Sequence, residues 1–149
     1  GRNLMDQEDA EGTKRSAASI VELIDREVRR GIAYKNIVLA GFSQGCAMAL
    51  YVGLRLPHEL AGIIALSGYL PLAITLNLEK HAANQNTPIF MAHGTYDPVV
   101  VLDRAQASYA MLEASGYEVE WNEYPMEHSV NHEELKDISR FLQTVLPKA

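Results

Sequence analysis

The sequence predicts one α/β domain in which a mainly parallel sheet is flanked by helices on both faces. Short aliphatic segments, typical of strands buried on both faces, alternate along the chain with longer segments whose apolar residues recur at helical spacing. Such alternation gives right-handed crossovers between parallel strands. The 149 residues, 48% of them apolar, suffice for one core, and no repeat or linker indicates a second domain.

The first half of the chain supplies two helices and two strands. Residues 1–12 are polar and are expected to be irregular. Apolar residues at helical spacing, two final arginines and a following glycine predict a helix over Thr13–Arg30. The aliphatic run Asn36–Phe42 predicts a strand, and the nearly all-apolar Gln44–Leu56 predicts a buried helix that stops before a proline. Residues Gly62–Ser67 predict the second strand.

The second half repeats this alternation. Residues Leu70–Thr87 show no clear period and are expected to form a loop with one short helix, and Pro88–Ala92 predicts a third strand. Leu102–Gly116 predicts an amphipathic helix closed by its glycine. Apolar and polar residues alternate over Glu118–Tyr124, which predicts a half-exposed strand near a sheet edge. A final helix over Leu135–Val145 stops before a proline.

Composition excludes several classes of function. The net charge of −6 comes from scattered acidic residues, and no basic cluster larger than a pair is present, which argues against a nucleic-acid partner. Cys46 is the only cysteine, so an internal disulfide or a cysteine-based metal site is excluded, and a reducing, cytoplasmic location fits. No apolar segment approaches the length that spans a membrane, so we expect no stable membrane insertion.

The segment Gly41-Phe42-Ser43-Gln44-Gly45 has the pattern G-x-S-x-G between a predicted strand and a predicted helix. This pattern is typical of a nucleophile elbow, in which a strained turn exposes the serine hydroxyl. Both glycines are expected to allow the helix to approach the strand closely. The alternative is a simple strand-to-helix turn without chemistry.

A serine hydroxyl needs a base to take its proton, and the base needs a carboxylate to orient it. Asp97 lies in a turn directly after the third predicted strand, and His128 lies in the loop after the edge strand. Because open α/β sheets place their sites at the carboxyl ends of the strands, Ser43, Asp97 and His128 are the candidate catalytic residues.

Other acids, histidines and the cysteine are weaker candidates. Asp103 and Asp137 fall inside helical patterns, and surface roles suit His58, His81 and His132. His93 is expected to pack or hydrogen-bond within its turn. Cys46 is expected to be a packed thiol. No histidine pair has the helical spacing of a metalloprotease motif, so we expect no metal site.

Taken together, the motifs Gly31-Ile32, IVLAGFSQG, GIIALSGYLP, HGTYDPVV and EYPMEHSV resemble the phospholipase/carboxylesterase family of α/β-hydrolases. The resemblance implies an α/β-hydrolase fold and a Ser-His-Asp mechanism without a metal or organic cofactor. It makes Ser43 the nucleophile, His128 the base and Asp97 its orienting acid, and it makes the amide of Gln44 an oxyanion donor. Substrates would be small-molecule esters or thioesters with an acyl chain in an apolar groove, at positions matching Leu70 and Val99. Family members often dimerise, so a homodimer is allowed.

Two departures from the family pattern bear on these expectations. Cys46 replaces a glycine that commonly follows the elbow. The family also carries strands and a His-Gly oxyanion loop before the region that matches Gly1, so the chain resembles the carboxyl-terminal two-thirds of such an enzyme and its first strand is expected to have an open edge. We favour a carboxylesterase for short to medium acyl chains. The alternatives are an acyl-protein thioesterase or lysophospholipase, and a non-catalytic fragment or interaction module.

Overall fold

The computed structural model describes residues 10–72 and 75–146. The four strands are β1 (Val38–Phe42), β2 (Gly62–Leu66), β3 (Ile89–Gly94) and β4 (Val119–Tyr124). The helices are α1 (Ala10–Arg29), α2 (Gln44–Arg55), α3 (Leu76–Glu79), α4 (Leu102–Ala114) and α5 (His132–Val145). None of the helices among the described residues is both long enough and apolar enough to cross a membrane.

The four strands form one parallel sheet in the order β1-β2-β3-β4. Their carboxyl ends therefore lie along one edge of the sheet. Phe42 at the end of β1 is in register with Leu66 of β2, and Leu66 is in register with Ala92 of β3. The predicted parallel α/β architecture is confirmed.

Helices cover both faces of this sheet. On one face α2 and α4 pack against β2 and β3, in a core that includes Leu50, Ile63, Met91 and Leu112. On the other face α5 packs through Phe141 against the remaining side chains of the same strands. Helix α1 lies against α2. Because α2 is enclosed between α1 and the sheet, its sequence is apolar on nearly every side.

Several element boundaries differ from the prediction, among them those of α1, β1, β3 and α5, which begins at His132 rather than Leu135. Helix α1 begins at Ala10, so residues 10–12 are helical rather than irregular. The first strand begins only at Val38, because Tyr34–Asn36 forms a 3-10 turn. Strand β3 continues to Gly94, since its last residues pair with Glu123 and Tyr124 of β4. The predicted loop over residues 70–87 contains α3 and a second 3-10 turn.

Strand β1 is more exposed than its aliphatic sequence predicts. None of its residues is buried, and Ala40 and Phe42 are exposed. The reason is its position: among the described residues β1 pairs with β2 alone and forms an edge of the sheet. The central strands β2 and β3, which have neighbours on both sides, are buried throughout. The expectation of two buried faces was wrong for β1, whereas the expected open edge is present among these residues.

One buried charge-bearing side chain lies in the first turn of α5. Asn131 caps this helix by accepting a hydrogen bond of 2.8 Å from the backbone N–H of Glu134. The Glu134 side chain is fully buried, and its two carboxylate oxygens have no hydrogen-bond partner among the described residues. Burial raises the pKa of Glu134 to about 7, and the neighbouring Asp137 carboxylate adds to this rise.

We expect Glu134→Gln to flatten the pH dependence of stability. The folded chain keeps the Glu134 proton up to a pKa of about 7, whereas the unfolded chain releases it near pH ~4.3. The free energy of unfolding therefore falls as the pH rises through this window, by about 4 kcal/mol for this group. Above pH ~7 the free energy of unfolding should be higher for Glu134→Gln than for the wild type. Below pH ~4 the two free energies should not differ in this way.

Urea unfolding across this pH range measures the difference. Glu133→Gln, a substitution at the exposed neighbouring residue, is the matched control and should leave the pH dependence unchanged. Equal pH profiles for the wild type and Glu134→Gln would contradict the assignment of a neutral buried carboxyl.

Candidate active site

Three polar side chains from separate loops meet at the carboxyl edge of the sheet. Ser43 directly follows β1, Asp97 lies in the loop after β3, and His128 lies in the loop after β4. The Ser43 Oγ is 2.9 Å from Nε2 of His128, and Nδ1 of His128 is 2.6 Å from Oδ2 of Asp97. The three candidate residues named from the sequence therefore form one continuous hydrogen-bonded chain.

Ser43 occupies a strained turn between β1 and α2. Its φ of 59° and ψ of −116° lie outside the regions that a residue with a side chain normally adopts. Its backbone N–H donates to the carbonyl of Leu66 over 2.8 Å, so the ladder between β1 and β2 continues up to the turn. The surrounding sheet and helix thus hold a conformation that on its own costs about 1–3 kcal/mol.

Of the two glycines in the elbow, only Gly41 is required by its surroundings among the described residues. A Cβ atom at Gly41 would lie 2.1 Å from the carbonyl oxygen of Gly45, which no packing tolerates. A Cβ atom at Gly45 would meet nothing within 4 Å among the described residues. Gly68 has a comparable role after β2, since its Cβ would lie 2.7 Å from the Ser43 carbonyl oxygen. The expectation that both elbow glycines serve close packing was correct for Gly41 and wrong for Gly45.

Asp97 is held on both of its carboxylate oxygens. Oδ1 accepts the backbone N–H groups of Val99 and Val100 at 2.8 and 2.9 Å, and Oδ2 accepts Nδ1–H of His128. Burial by itself would raise the pKa of Asp97, but the hydrogen bonds from His128, Val100 and Val99 outweigh it and hold that pKa below its usual value. Asp97 is therefore an anion at neutral pH, although it is only 5% exposed.

The ionised acid fixes the tautomer of His128. A carboxylate can only accept a hydrogen bond, so the proton of the neutral imidazole lies on Nδ1, which faces Asp97. Nε2 then carries the lone pair and accepts the Ser43 hydroxyl. The ring of Phe42 lies against the imidazole, with 4.8 Å between the ring centroids. This arrangement can remove a proton from Ser43 and stabilise the resulting imidazolium.

A second close approach brings the His128 loop to this position. A Cβ atom at Gly94, the last residue of β3, would lie 2.2 Å from the carbonyl oxygen of Glu127 and 2.4 Å from that of Met126. The backbone N–H of Tyr96 donates to the same Met126 carbonyl over 3.0 Å. The loop that carries His128 therefore lies directly over the end of β3, where only a glycine leaves room for it.

The remaining predicted site residues lie apart from one another. Gln44 is the first residue of α2, where backbone N–H groups lack partners within the helix, which is the position required of an oxyanion donor. Leu70 is 3% exposed and belongs to the same core cluster as Cys46, whereas Val99 is 57% exposed. The structure thus places one of the two predicted groove residues inside the core and the other on the surface.

The competing candidates lie outside the hydrogen-bonded chain. Asp103 is in α4, and Asp137 in α5 accepts a hydrogen bond from the Tyr124 hydroxyl. His58 stacks on Tyr34. His81 caps a 3-10 turn, and His132 begins α5. The Cys46 thiol is buried, and burial raises its pKa to about 12. In residues 10–72 and 75–146, no three histidine, cysteine, aspartate or glutamate side chains are grouped to hold a metal ion.

Sequence reasoning missed the closeness of His93 to the acid. Its side chain is 1% exposed, and Nε2 lies 2.6 Å from the Val100 carbonyl oxygen and 3.5 Å from Oδ2 of Asp97. The only available signal was its position four residues before the candidate acid.

Comparisons with known proteins agree on one family. The family model described as phospholipase/carboxylesterase matches residues 1–146. The chain is 42% identical to acyl-protein thioesterase 1 of Gibberella zeae over 148 residues, which cover 97% of this chain and 63% of the relative. It is 45% identical to acyl-protein thioesterase 1 of Neurospora crassa over 144 residues, which cover 95% of this chain and 59% of the relative. The chain thus spans less than two thirds of these curated relatives.

Solved structures show the same fold. Arabidopsis thaliana SOBER1 superposes with a TM-score of 0.88 at 30% identity, covering 93% of this chain and 67% of that one. Acyl-protein thioesterase 2 of Zea mays superposes with a TM-score of 0.82 at 28% identity, with the same coverage of both chains. The parallel sheet described above is thus that of the α/β-hydrolase fold.

We expect Gly41→Ala and Gly45→Ala to have opposite effects. The added methyl group at Gly41 would overlap the α2 backbone, so this variant should lose at least about 2 kcal/mol of stability and the geometry of the Ser43 turn. The methyl group at Gly45 meets open space inside a helix, where alanine is favoured over glycine by about 0.5–1 kcal/mol. Thermal unfolding of both variants measures the contrast. Equal destabilisation by the two substitutions would contradict it.

Proposed function

This chain belongs to the phospholipase/carboxylesterase family, and we propose that it is a serine hydrolase that cleaves carboxylic esters and thioesters through an acyl-enzyme. The observation that carries the proposal is the hydrogen-bonded chain from the Ser43 hydroxyl through His128 to Asp97. A nucleophile, a base and an orienting acid are all that acyl transfer to a serine requires of side chains.

In the first half of the reaction, Ser43 Oγ attacks the substrate carbonyl carbon while its proton passes to Nε2 of His128. Asp97 remains ionised and stabilises the imidazolium that forms. The carbonyl oxygen becomes an oxyanion, and the backbone N–H of Gln44 at the start of α2 is positioned to donate to it.

Collapse of the tetrahedral intermediate breaks the bond to the alcohol or thiol. The leaving oxygen or sulfur takes the proton from Nε2 of His128, and the acyl group stays on Ser43. Water then attacks the acyl-enzyme, giving its proton to His128, and the second tetrahedral intermediate releases the carboxylic acid as Ser43 regains its proton. No cofactor is needed in either half.

The surface beside the nucleophile suits an acyl chain. Phe42, Tyr96 and Val99 are 38, 68 and 57% exposed, although all three are apolar or aromatic. They belong to β1 and to the acid loop, the two segments that carry Ser43 and Asp97. Exposed apolar side chains on the segments that carry the proposed nucleophile and acid favour substrates with a hydrocarbon portion. We favour esters of short to medium acyl chains.

A second candidate is a protein thioesterase. The observation in its favour is the identity of 42 and 45% to two relatives that are named acyl-protein thioesterase 1. The two candidates share the same chemistry at Ser43 and differ in the length and attachment of the acyl group.

We expect Ser43→Ala to lower kcat for ester hydrolysis by about 10⁶-fold, because a nucleophile, its base and its acid act as one unit. The same variant should lose covalent labelling by a fluorophosphonate, which reports the activated serine independently of any chosen ester. Ser129→Ala, beside His128 but outside the hydrogen-bonded chain, serves as the control and should keep both properties. A tenth of wild-type hydrolysis remaining in Ser43→Ala would refute the nucleophile. Absence of labelling in the wild type would favour a non-catalytic module.

We expect kcat/KM for p-nitrophenyl esters to peak at short to medium acyl chains and to fall for long chains. Among the described residues, the exposed apolar side chains on the segments that carry Ser43 and Asp97 include Phe42, Tyr96 and Val99, and we expect methylenes that extend past them to gain little burial. The measurement is a series of esters of increasing chain length beside an S-palmitoylated peptide. A preference for the palmitoylated peptide by tenfold or more would select the protein thioesterase instead.

A further inference from the structure

We propose that His93 is a positioning residue that holds the Asp97 loop in the geometry required by His128. This inference rests on the proposed function and adds a fourth side chain to the machinery. His93 is the penultimate residue of β3 and is 1% exposed, and among the described residues its hydrogen bond goes to the Val100 carbonyl rather than to Ser43. It acts through the backbone of Val100.

The Val100 carbonyl determines which nitrogen of His93 carries a proton. Nε2 of His93 is 2.6 Å from this oxygen, shorter than the usual range of about 2.7–3.2 Å for N–H···O hydrogen bonds. A carbonyl oxygen has no proton to give, so Nε2 must be the donor. His93 is thus a fixed N–H donor aimed at the loop that carries the acid.

Val100 transmits this contact to Asp97. Its carbonyl accepts from His93, while its own N–H donates to Oδ1 of Asp97 over 2.9 Å. The other carboxylate oxygen, Oδ2, faces His128. Three successive hydrogen bonds therefore connect the rigid strand β3 to the base. Since Val100 is only 5% exposed, loss of the His93 donor would leave its carbonyl buried without that partner.

The same contact keeps His93 from competing for the acid. Its Nε2 lies 3.5 Å from Oδ2 of Asp97, against 2.6 Å for Nδ1 of His128. Because the Val100 carbonyl engages the His93 donor at the shorter distance, Oδ2 is left to His128.

Gln and Met form the matched pair of substitutions. Both are unbranched and of nearly equal length, but only Gln carries an N–H donor near the position of Nε2. In the intact natural protein, we expect His93→Met to lower kcat for ester hydrolysis by about 10²-fold with little change in KM, since a displacement of about 1 Å at an orienting group has effects of this size. His93→Gln should retain most of the wild-type kcat.

Proton NMR of the resting protein provides a readout that needs no substrate. The short hydrogen bond between Nδ1–H of His128 and Asp97 should give a resonance far downfield. This resonance should be present in the wild type and His93→Gln, and should be shifted upfield or lost in His93→Met. A protein that hydrolyses no ester but shows this pattern would refute the proposed function and support the positioning role. If His93→Met does not fold, His93→Asn, which withdraws the donor from Val100, replaces it in the comparison.

A double-mutant cycle separates positioning from general support of the fold. In an Asp97→Asn background the path through the acid is already broken, so adding His93→Met should cost less than about threefold. A residue with only a structural role would cost the same in both backgrounds. Additive losses, or an unchanged His128 resonance in His93→Met, would overturn the proposal.

Discussion

The site depends on one geometric requirement, which is that the loop after β4 must reach Ser43, which follows β1. Ser43 follows β1 and His128 follows β4, and two strands lie between them. At the usual separation of neighbouring strands this distance is about 14 Å. The loop after β4 covers it by lying over the end of β3, where Gly94 leaves room for its carbonyl groups. Asp97, which follows β3, lies between the two ends of this span and accepts a hydrogen bond from His128.

Backbone groups fix the chemical state of the side chains. The N–H groups of Val99 and Val100 hold Asp97 as an anion, and that anion determines the tautomer of His128. The Val100 carbonyl sets the tautomer of His93 in the same way. The acid loop thus supplies donors to a carboxylate and an acceptor to a histidine within a few residues. The backbone conformation of this loop therefore bears directly on both histidines.

The sequence predicted most of the fold because the central elements obey simple periods. Strands β2 and β3 and helix α2 are apolar because they are enclosed on all sides, and the candidate residues were recognisable from their positions after strands. The exposure of β1 was not predictable from its composition, since burial depends on which neighbours pair with it. Nor were the core position of Leu70 and the burial of Glu134, because both are set by packing between distant segments.

Some of the hydrogen bonds that matter could not be predicted because a side chain meets a backbone atom in them. The contact between His93 and Val100 joins a strand to a loop carbonyl, and no residue type at position 100 would signal it. By contrast, the Gly-x-Ser-x-Gly pattern signals its turn directly, because Gly41 is required by a backbone clash.

The separation of 85 residues between Ser43 and His128 also has a kinetic consequence. Contacts that close long loops form slowly, because the entropy of loop closure is lost before they contribute to stability. During refolding, the sheet from β1 to β3 can be assembled while β4 and α5 are still undocked. Formation of the contact between Ser43 and His128 would then lag behind recovery of helical circular dichroism, and it would report the final docking step rather than the collapse of the core.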